Sequence, residues 1–282
     1  MRVYSLNAKQ GDPRYLQAVQ GNYWFWQRGY DVVGFEREQL ADGELDADLI
    51  GDPEHTLVYG SVAVVRDALI RAGRPEPPNL DFPPCLAQFV GRKVFEATMG
   101  QIRSWESSQP DQLPVHIKPR DRHKLFAGKV VSTYRDLLSL SGVPFEEPVI
   151  VQEVIALTSE WRASILRGNV LNISHYKGDP LVFPDINVIR AAIDCFRDAP
   201  IGYGMDWAVT ADARTILVEV NDGFALGNYG VRGYHYTALI ECRWRELMGS
   251  KTMASICNGR VKECVILNWA LSSHWIAERR IL

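Results

Sequence analysis

Apolar positions recur along this chain in two rhythms, and the switch between them divides it. Over residues 1–88, short alternating runs at Val3–Leu6, Asp31–Phe35 and Thr56–Tyr59 are separated by helical spacing near Arg14–Arg28 and Ser61–Ala72. In the last of these, Val62, Val65, Leu69 and Ala72 share one stripe, Ser61 is placed to cap the helix start and Gly73 to end it. The pattern predicts a small α/β domain. The stretch Arg74-Pro-Glu-Pro-Pro-Asn-Leu-Asp-Phe-Pro-Pro that follows excludes helix and central strand alike, so a domain boundary is expected by residue 88.

Beyond it the spacing predicts a helix near Val90–Arg103, a strand at Pro114–Lys118, a helix near Thr133–Ser141 and a strand at Val149–Ile155. A hairpin is expected from Trp161–Arg167 and Val170–Tyr176 about Gly168-Asn169. An amphipathic helix at Asp185–Ala199 turns Ile186, Ile189, Ile193 and Phe196 inward. Mostly antiparallel strands mixed with helices make residues 89–249 an α+β domain. Residues 250–282 mix apolar and basic positions without a motif and read as a packed extension or an oligomer contact.

The chemistry concentrates in a second hairpin, Gly204–Thr210 and Ile216–Gly223. Strand alternation sets Ile216, Val218 and Val220 on one face and Leu217, Glu219 and Asn221 on the other. A turn centred between Asp212 and Ala213 puts Asp206 directly opposite Glu219. Two carboxylates facing across strands repel unless a cation lies between them, and Asn221 adds a neutral oxygen two residues on. That donor set suits Mg²⁺. The alternative is a pair of solvated acids on an exposed face. The following segment, Asn-Asp-Gly-Phe-Ala-Leu-Gly-Asn-Tyr-Gly from Asn221 to Gly230, favours a ligand, because its glycines allow close backbone approach.

Composition narrows the setting. With 31 basic against 34 acidic residues and a net charge of −3, the chain has no bulk attraction for nucleic acid or an anionic membrane, so any anionic ligand must be held locally. Its five cysteines form no Cys-x-x-Cys pair and indicate neither a disulfide framework nor a zinc site. A reducing cytoplasm fits, and no signal-peptide core or membrane-length apolar run is present. Oligomeric state is left open.

Oxygen ligands for Mg²⁺ direct attention to phosphate-binding groups. The Gly-x-x-x-x-Gly-Lys-Ser/Thr and Gly-x-Gly-x-x-Gly fingerprints are absent, so another nucleotide fold is required. Lys118 ends the strand Val115-His-Ile-Lys-Pro and enters a basic loop that carries Lys124 and closes at Gly128. Such a loop can fold over a triphosphate, with Lys118 and Lys124 as point charges; taken alone, Lys118 is more often a solvated lysine. Gln152-Glu153 interrupts an apolar strand where backbone groups can meet an adenine edge, or where a strand reaches solvent. Arg162, expected opposite His175 with Glu160 opposite Lys177, either stabilises charge on a transferring phosphoryl group or pairs with Glu160 at the surface.

In this order, the lysine-ending strand, basic glycine loop, Gln-Glu hinge, Glu160-Trp-Arg hairpin, Asp206 and Glu219-x-Asn-Asp-Gly-x-Ala-Leu-Gly resemble the ATP-grasp superfamily, and within it the R2K clade. Tyr59-Gly-Ser61 and Gly91-Arg-Lys-Val-Phe95 extend the resemblance to about residues 57–235. It implies two α+β lobes clamping ATP, preceded by a Rossmann-like domain, and ligation of a carboxylate to an amine through an acyl phosphate. The substrate expected is an amino acid, a peptide or a protein terminus. Carried onto this chain, it makes Lys118 and Arg162 catalytic, Gln152 and Glu153 neighbours of the adenine or ribose, and Asp206, Glu219 and Asn221 the Mg²⁺ ligands. Arg92 or Lys93 is the candidate for the first phosphate-binding cation, although Lys93 stands closer to Lys118 in sequence than that cation usually does. Phe224, Leu226, Asn228 and Tyr229 are placed to line an acceptor pocket. A small-molecule kinase and a non-catalytic ATP-binding module are the alternatives.

Overall fold

The structure, a computed structural model, describes residues 1–12, 14–121 and 125–250. Lys124 and the extension beyond Ser250 lie outside the described residues. The chain forms two compact units, one of Met1–Glu76 with the chain from Arg232, the other of Pro77–Val231.

The first unit contains β1 (Arg2–Leu6), α1 (Tyr15–Gln27), β2 (Asp31–Phe35), α2 (Arg37–Asp42), α3 (Asp46–Leu49), β3 (Thr56–Tyr59), α4 (Val62–Arg71) and α8 (Gly233–Leu247). Its three strands run parallel in the order β2-β1-β3. All four residues of β3 are buried, as expected of the apolar strand runs in parallel sheets. Ser61 caps α4 by accepting from the Val64 amide at 3.5 Å, and Gly73, at φ 69°, follows its end. The return of α8 differs from the expected division, and packing explains it. Trp244 is buried and donates its indole N–H to the Thr56 carbonyl at 2.8 Å, while Tyr236 meets the rings of Tyr59 and Trp24.

The second unit holds α5 (Ala87–Val90), β4 (Val94–Thr98), α6 (Met99–Ser108), β5 (Val115–Pro119), β6 (Lys129–Val131), β7 (Pro148–Glu153), β8 (Leu157–Leu166), β9 (Asn169–Gly178), α7 (Ile186–Cys195), β10 (Gly202–Thr210) and β11 (Thr215–Asp222). They form two four-stranded antiparallel sheets, β4-β7-β5-β6 and β11-β10-β8-β9. Element boundaries differ from expectation here as well. The compact unit starts at Pro77, ahead of residue 89, and Leu80, Leu86 and Phe89 pack into the core of the β8–β11 sheet. Val94–Thr98, expected within a helix, is a strand: its β-branched and aromatic residues pair with β7, and Thr98 caps the helix that starts only at Met99. The helix expected near Thr133–Ser141 is present as 3₁₀ turns over Tyr134–Leu140.

Each sheet buries one face. Val115, Ile117, Val149 and Val151 meet Met99, Ile102 and Trp105 of α6 in one core. In the other, Ala163, Ile165, Tyr203, Met205 and Trp207 pack against Ile189, Ala192 and Phe196 from α7 and the residue after it. Ile186, expected inward, stands 43% exposed, because it opens the first turn beside the cap residue Asp185. The opposite faces carry the polar side chains. Among the described residues, no helix is long and apolar enough to cross a membrane, and Cys85, Cys195 and Cys242 form no disulfide.

Candidate functional site

The acidic hairpin holds the expected pair, with Asp206 directly opposite Glu219, but a β-bulge produces it. The pairs Val209–Thr215, Ala208–Ile216 and Trp207–Leu217 centre the turn on Asp212, one half-step earlier than expected. An extra residue at Val218 then shifts the register between Asp206 and Trp207. The bulge also changes which side chains face inward. Leu217, expected beside Glu219, lies in the core together with Val220, while Glu219 and Asn221 turn to the polar face.

On that face Arg162 of β8 grips Asp206 of β10 through two hydrogen bonds, Nε to Oδ1 and Nη2 to Oδ2, each 2.5 Å. Both residues are buried. Burial lowers the Arg162 pKa, but Asp206 outweighs it and leaves it raised. Burial raises Asp206, and Arg162 opposes without reversing the shift. A bidentate pair of this geometry is ionic, so Asp206 is a carboxylate whose desolvation is incompletely offset. Arg162 pairs across the sheet with Ser174, not with the expected His175, because a bulge between Glu160 and Trp161 moves the register; Glu160 stands opposite Lys177 as expected. The Tyr229 ring covers the Arg162 guanidinium at 4.3 Å and meets the edge of Tyr176 at 5.6 Å. Tyr229 reaches this position with φ 38°, a region that bulky side chains rarely adopt.

Lys118 links this sheet to its neighbour. Standing on β5, it donates from Nζ to Glu219 Oε2 at 2.8 Å and to Asp81 Oδ1 at 2.6 Å. Burial disfavours its charge, but Glu219 and Asp81 together raise its pKa. Burial likewise pushes Glu219 up, and Lys118 and Asn221 hold it below the ordinary value. Asn221 donates from Nδ2 to Glu219 Oε1 at 3.0 Å and to Asp206 Oδ2 at 3.3 Å, so both carboxylates converge on one atom.

That convergence provides the test for Mg²⁺. Two carboxylates reach a common point, and the Asn221 amide presents an oxygen there by turning over, giving an all-oxygen donor set that fits Mg²⁺. Among the described residues, no group of three or more His, Cys, Asp or Glu forms a complete metal cage. Phosphate or water oxygens would have to complete the coordination.

The remaining expected residues are distributed less evenly. Gln152 is buried, its Oε1 accepting from Arg92 Nη2 at 2.5 Å and its Nε2 lying 3.2 Å from His116 Nδ1. Arg92 also donates to the Leu217 and Val218 carbonyls at 2.8 and 2.9 Å, tying the two sheets together at the bulge. Lys93 is exposed and meets Glu153 through its backbone, its N–H donating to Oε2 at 3.0 Å and its carbonyl accepting from the Glu153 amide at 2.9 Å. Gly128 lies close above His116, with a Cβ there falling 2.7 Å from Nε2. Phe224 and Leu226, expected to line a pocket, are buried, and Leu226 packs over Gly204. Sequence reasoning missed Asp81, which sits in the proline-rich stretch where no periodicity marks a face. The Arg162–Tyr229 stack was also missed, since it depends on a left-handed tyrosine.

The model of the ATP-grasp domain, R2K clade family 2, matches residues 89–239. No curated protein matches the chain. Solved structures similar to it include D-cycloserine synthetase DcsG, with a TM-score of 0.58 at 12% identity over 88% of this chain and 100% of that one. The D-alanine–D-alanine ligase of Bacillus anthracis gives 0.56 at 14% identity over 88% and 99%. A RimK domain ATP-grasp protein from Sphaerobacter thermophilus gives 0.55 at 17% identity over 85% and 98%. At these identities the likeness is one of fold.

Proposed function

The chain belongs to the ATP-grasp domain, R2K clade family 2, and on that premise we propose that it is an ATP- and Mg²⁺-dependent carboxylate–amine ligase. The observation that carries the reading is the single polar face on which Lys118, Glu219, Asn221, Asp206 and Arg162 follow one another across two sheets. It combines cations for phosphate with acids for a metal, and the site so assembled contains no protein nucleophile.

Lys118 binds the phosphate chain as a point charge, and Lys124 is assigned to the outer phosphates. Lys93 and Arg92 stand at the β4 end beside Gln152 and Glu153, where the adenine and ribose are assigned. Asp206, Glu219 and Asn221 hold Mg²⁺, which when bound supplies Lewis-acid polarisation of the phosphoryl oxygens. Arg162, kept in place by Asp206 and Tyr229, orients the substrate carboxylate and stabilises charge on the transferring phosphoryl group. A carboxylate oxygen bonds to the γ-phosphorus as the bond to ADP breaks. The amine nitrogen then bonds to the acyl carbon, phosphate leaves and the amine releases a proton. The acceptor is an amino acid, a peptide or a protein terminus.

The test is Mg²⁺-dependent release of ADP and phosphate by purified protein with pooled amino acids and short peptides, alongside Glu219→Ala. Acceptor-stimulated release that is lost in the variant, with a product lighter by one water than its two substrates, is expected. A phosphorylated product would instead make the protein a kinase, and ATP bound without turnover would make it a binding module.

A further inference from the structure

The proline-rich segment does more than separate elements. Its stretch Asn79–Phe82 lies against the cations of the site as a strap. Asn79 donates from Nδ2 to the Arg120 carbonyl at 2.8 Å, and Asp81 accepts from Lys118 at 2.6 Å. The Phe82 ring lies 5.1 Å from Lys118 Nζ and 5.5 Å from the Arg92 guanidinium carbon. The Asp81 carbonyl accepts from the Val220 amide at 2.8 Å, an isolated bridge to β11 beside Glu219. Asp81 makes these contacts at φ 39°, in a region sparsely populated by residues other than glycine, asparagine and aspartate.

We propose that Asp81 is an internal competitor for Lys118, a carboxylate carried by the strap that the nucleotide's phosphates must displace to engage the lysine. This rests on Lys118 being the phosphate-binding cation of the site. The argument is one of charge. A single ammonium already faces two carboxylates, Asp81 and Glu219, in a mostly buried position. Phosphate oxygens at Lys118 add at least one more negative charge within contact distance, and three anions around one cation repel. Glu219 has Asn221 as a second partner and the proposed metal as a third. Among the described residues Asp81 has no second side-chain partner, so it is the group that must leave. Asp81 therefore acts as a positioning residue: it keeps Lys118 extended toward the acidic face, at a cost in nucleotide affinity.

Titration calorimetry with ATP, ADP and adenosine tests this on the full chain, using wild type, Asp81→Asn, Asp81→Gly and Lys118→Ala. Asparagine and glycine both tolerate the left-handed conformation, so one variant covers a folding failure of the other. Removing a charge-assisted competitor is expected to tighten ATP and ADP about tenfold and to leave adenosine unchanged. A merely structural role would move all three ligands together. Unchanged or weaker ATP binding in both Asp81 variants, with Lys118→Ala still impaired, overturns the competitor and leaves the site standing. Lys118→Ala binding ATP like wild type, or no ATP binding by wild type, overturns the reading of Lys118 and the proposal with it.

Discussion

The protein buries two ionic clusters, one in each unit, and they solve the cost of burial in opposite ways. In the first unit Glu241 accepts from Arg28 Nη2 at 2.5 Å, from the Tyr30 hydroxyl at 2.7 Å and from Arg245 Nε at 2.9 Å. Burial raises its pKa, but Arg28, Tyr30 and Arg245 together hold it below the ordinary value. Arg245 has a further acceptor in the Glu54 carbonyl, and Arg28 lies over the rings of Tyr30 and Tyr234. The one acid is fully paired, and what is left over among the described residues is a donor, Arg28 Nη1, buried without a hydrogen-bond partner, so for the carboxylate the arrangement is closed. In the second unit three acids, Asp81, Asp206 and Glu219, share Lys118, Arg162 and Asn221, and burial leaves Asp81 and Asp206 raised. Donors are scarce there and acids abundant, so added positive charge is welcome. A cluster that is satisfied stabilises a unit, whereas one left short of cations is prepared for a ligand.

Removing the acid from each cluster should expose that difference. Glu241→Ala leaves Arg28 and Arg245 without their shared carboxylate, and a loss of about 3–5 kcal/mol is expected, as for breaking any buried pair. Urea denaturation of wild type and variant measures it, and a loss no larger than that of a surface substitution would break the comparison. Glu219→Gln should do the reverse. Lys118 keeps Asp81, so stability should stay within about 1 kcal/mol of wild type. Mg²⁺-dependent ATP turnover, in contrast, should fall roughly 100-fold or more, the scale of losing a preorganised electrostatic group. Steady-state rates and urea midpoints of the same preparation check both halves.

The sequence made most strands of the second unit and the acidic pair legible, the pair partly through cancellation. Alternation in Ile216–Asn221 identified Glu219 and Asn221 as partners on one face, and the structure pairs Asp206 with Glu219. A turn centred half a step early and a bulge at Val218 offset each other, so the pair was right while Leu217 was assigned to the wrong face. A bulge is invisible to a period of two, which assumes that no residue is inserted. Val94–Thr98 was misread because a short apolar run bordering a helix fits either period, and pairing with β7 decides it. Asp81 and the stacking of Tyr229 on Arg162 were out of reach for a different reason. Asp81 and Tyr229 both adopt left-handed backbones in loops, where placement follows from tertiary contact and not from any repeat.

Tyr229 offers a smaller test of the open cluster. Its partly exposed ring covers the buried Arg162 guanidinium in a cation–π contact, and Tyr229→Leu should remove about 1 kcal/mol of support from that group. That corresponds to a severalfold drop in turnover with adenosine binding unchanged. Tyr229→Phe keeps the ring face and should restore the rate. If both variants are equally slow, the hydroxyl and not the stack matters.

The gentlest probe is acid, because Glu241 of the closed cluster and Asp81 of the open one should respond to it with opposite sign. Glu241 titrates below its ordinary 4.5 in the folded protein. Its stabilising contribution is therefore complete above that value and lost as pH falls through the depressed folded pKa. Asp81 titrates above its ordinary 3.8, with burial the main cause and Lys118 the main opposing influence. The folded state then takes up that proton before the unfolded chain does, so acidification through the raised value adds stability instead of removing it. Urea midpoints followed from about pH 6 to about pH 3 separate the two. Glu241→Gln should flatten the acid loss of stability, since the group responsible no longer titrates. Asp81→Asn should steepen it, since the opposing contribution is gone. Curves that shift in the same direction would mean that the acids of the two units are equally satisfied, and the contrast between a closed and an open cluster would fail.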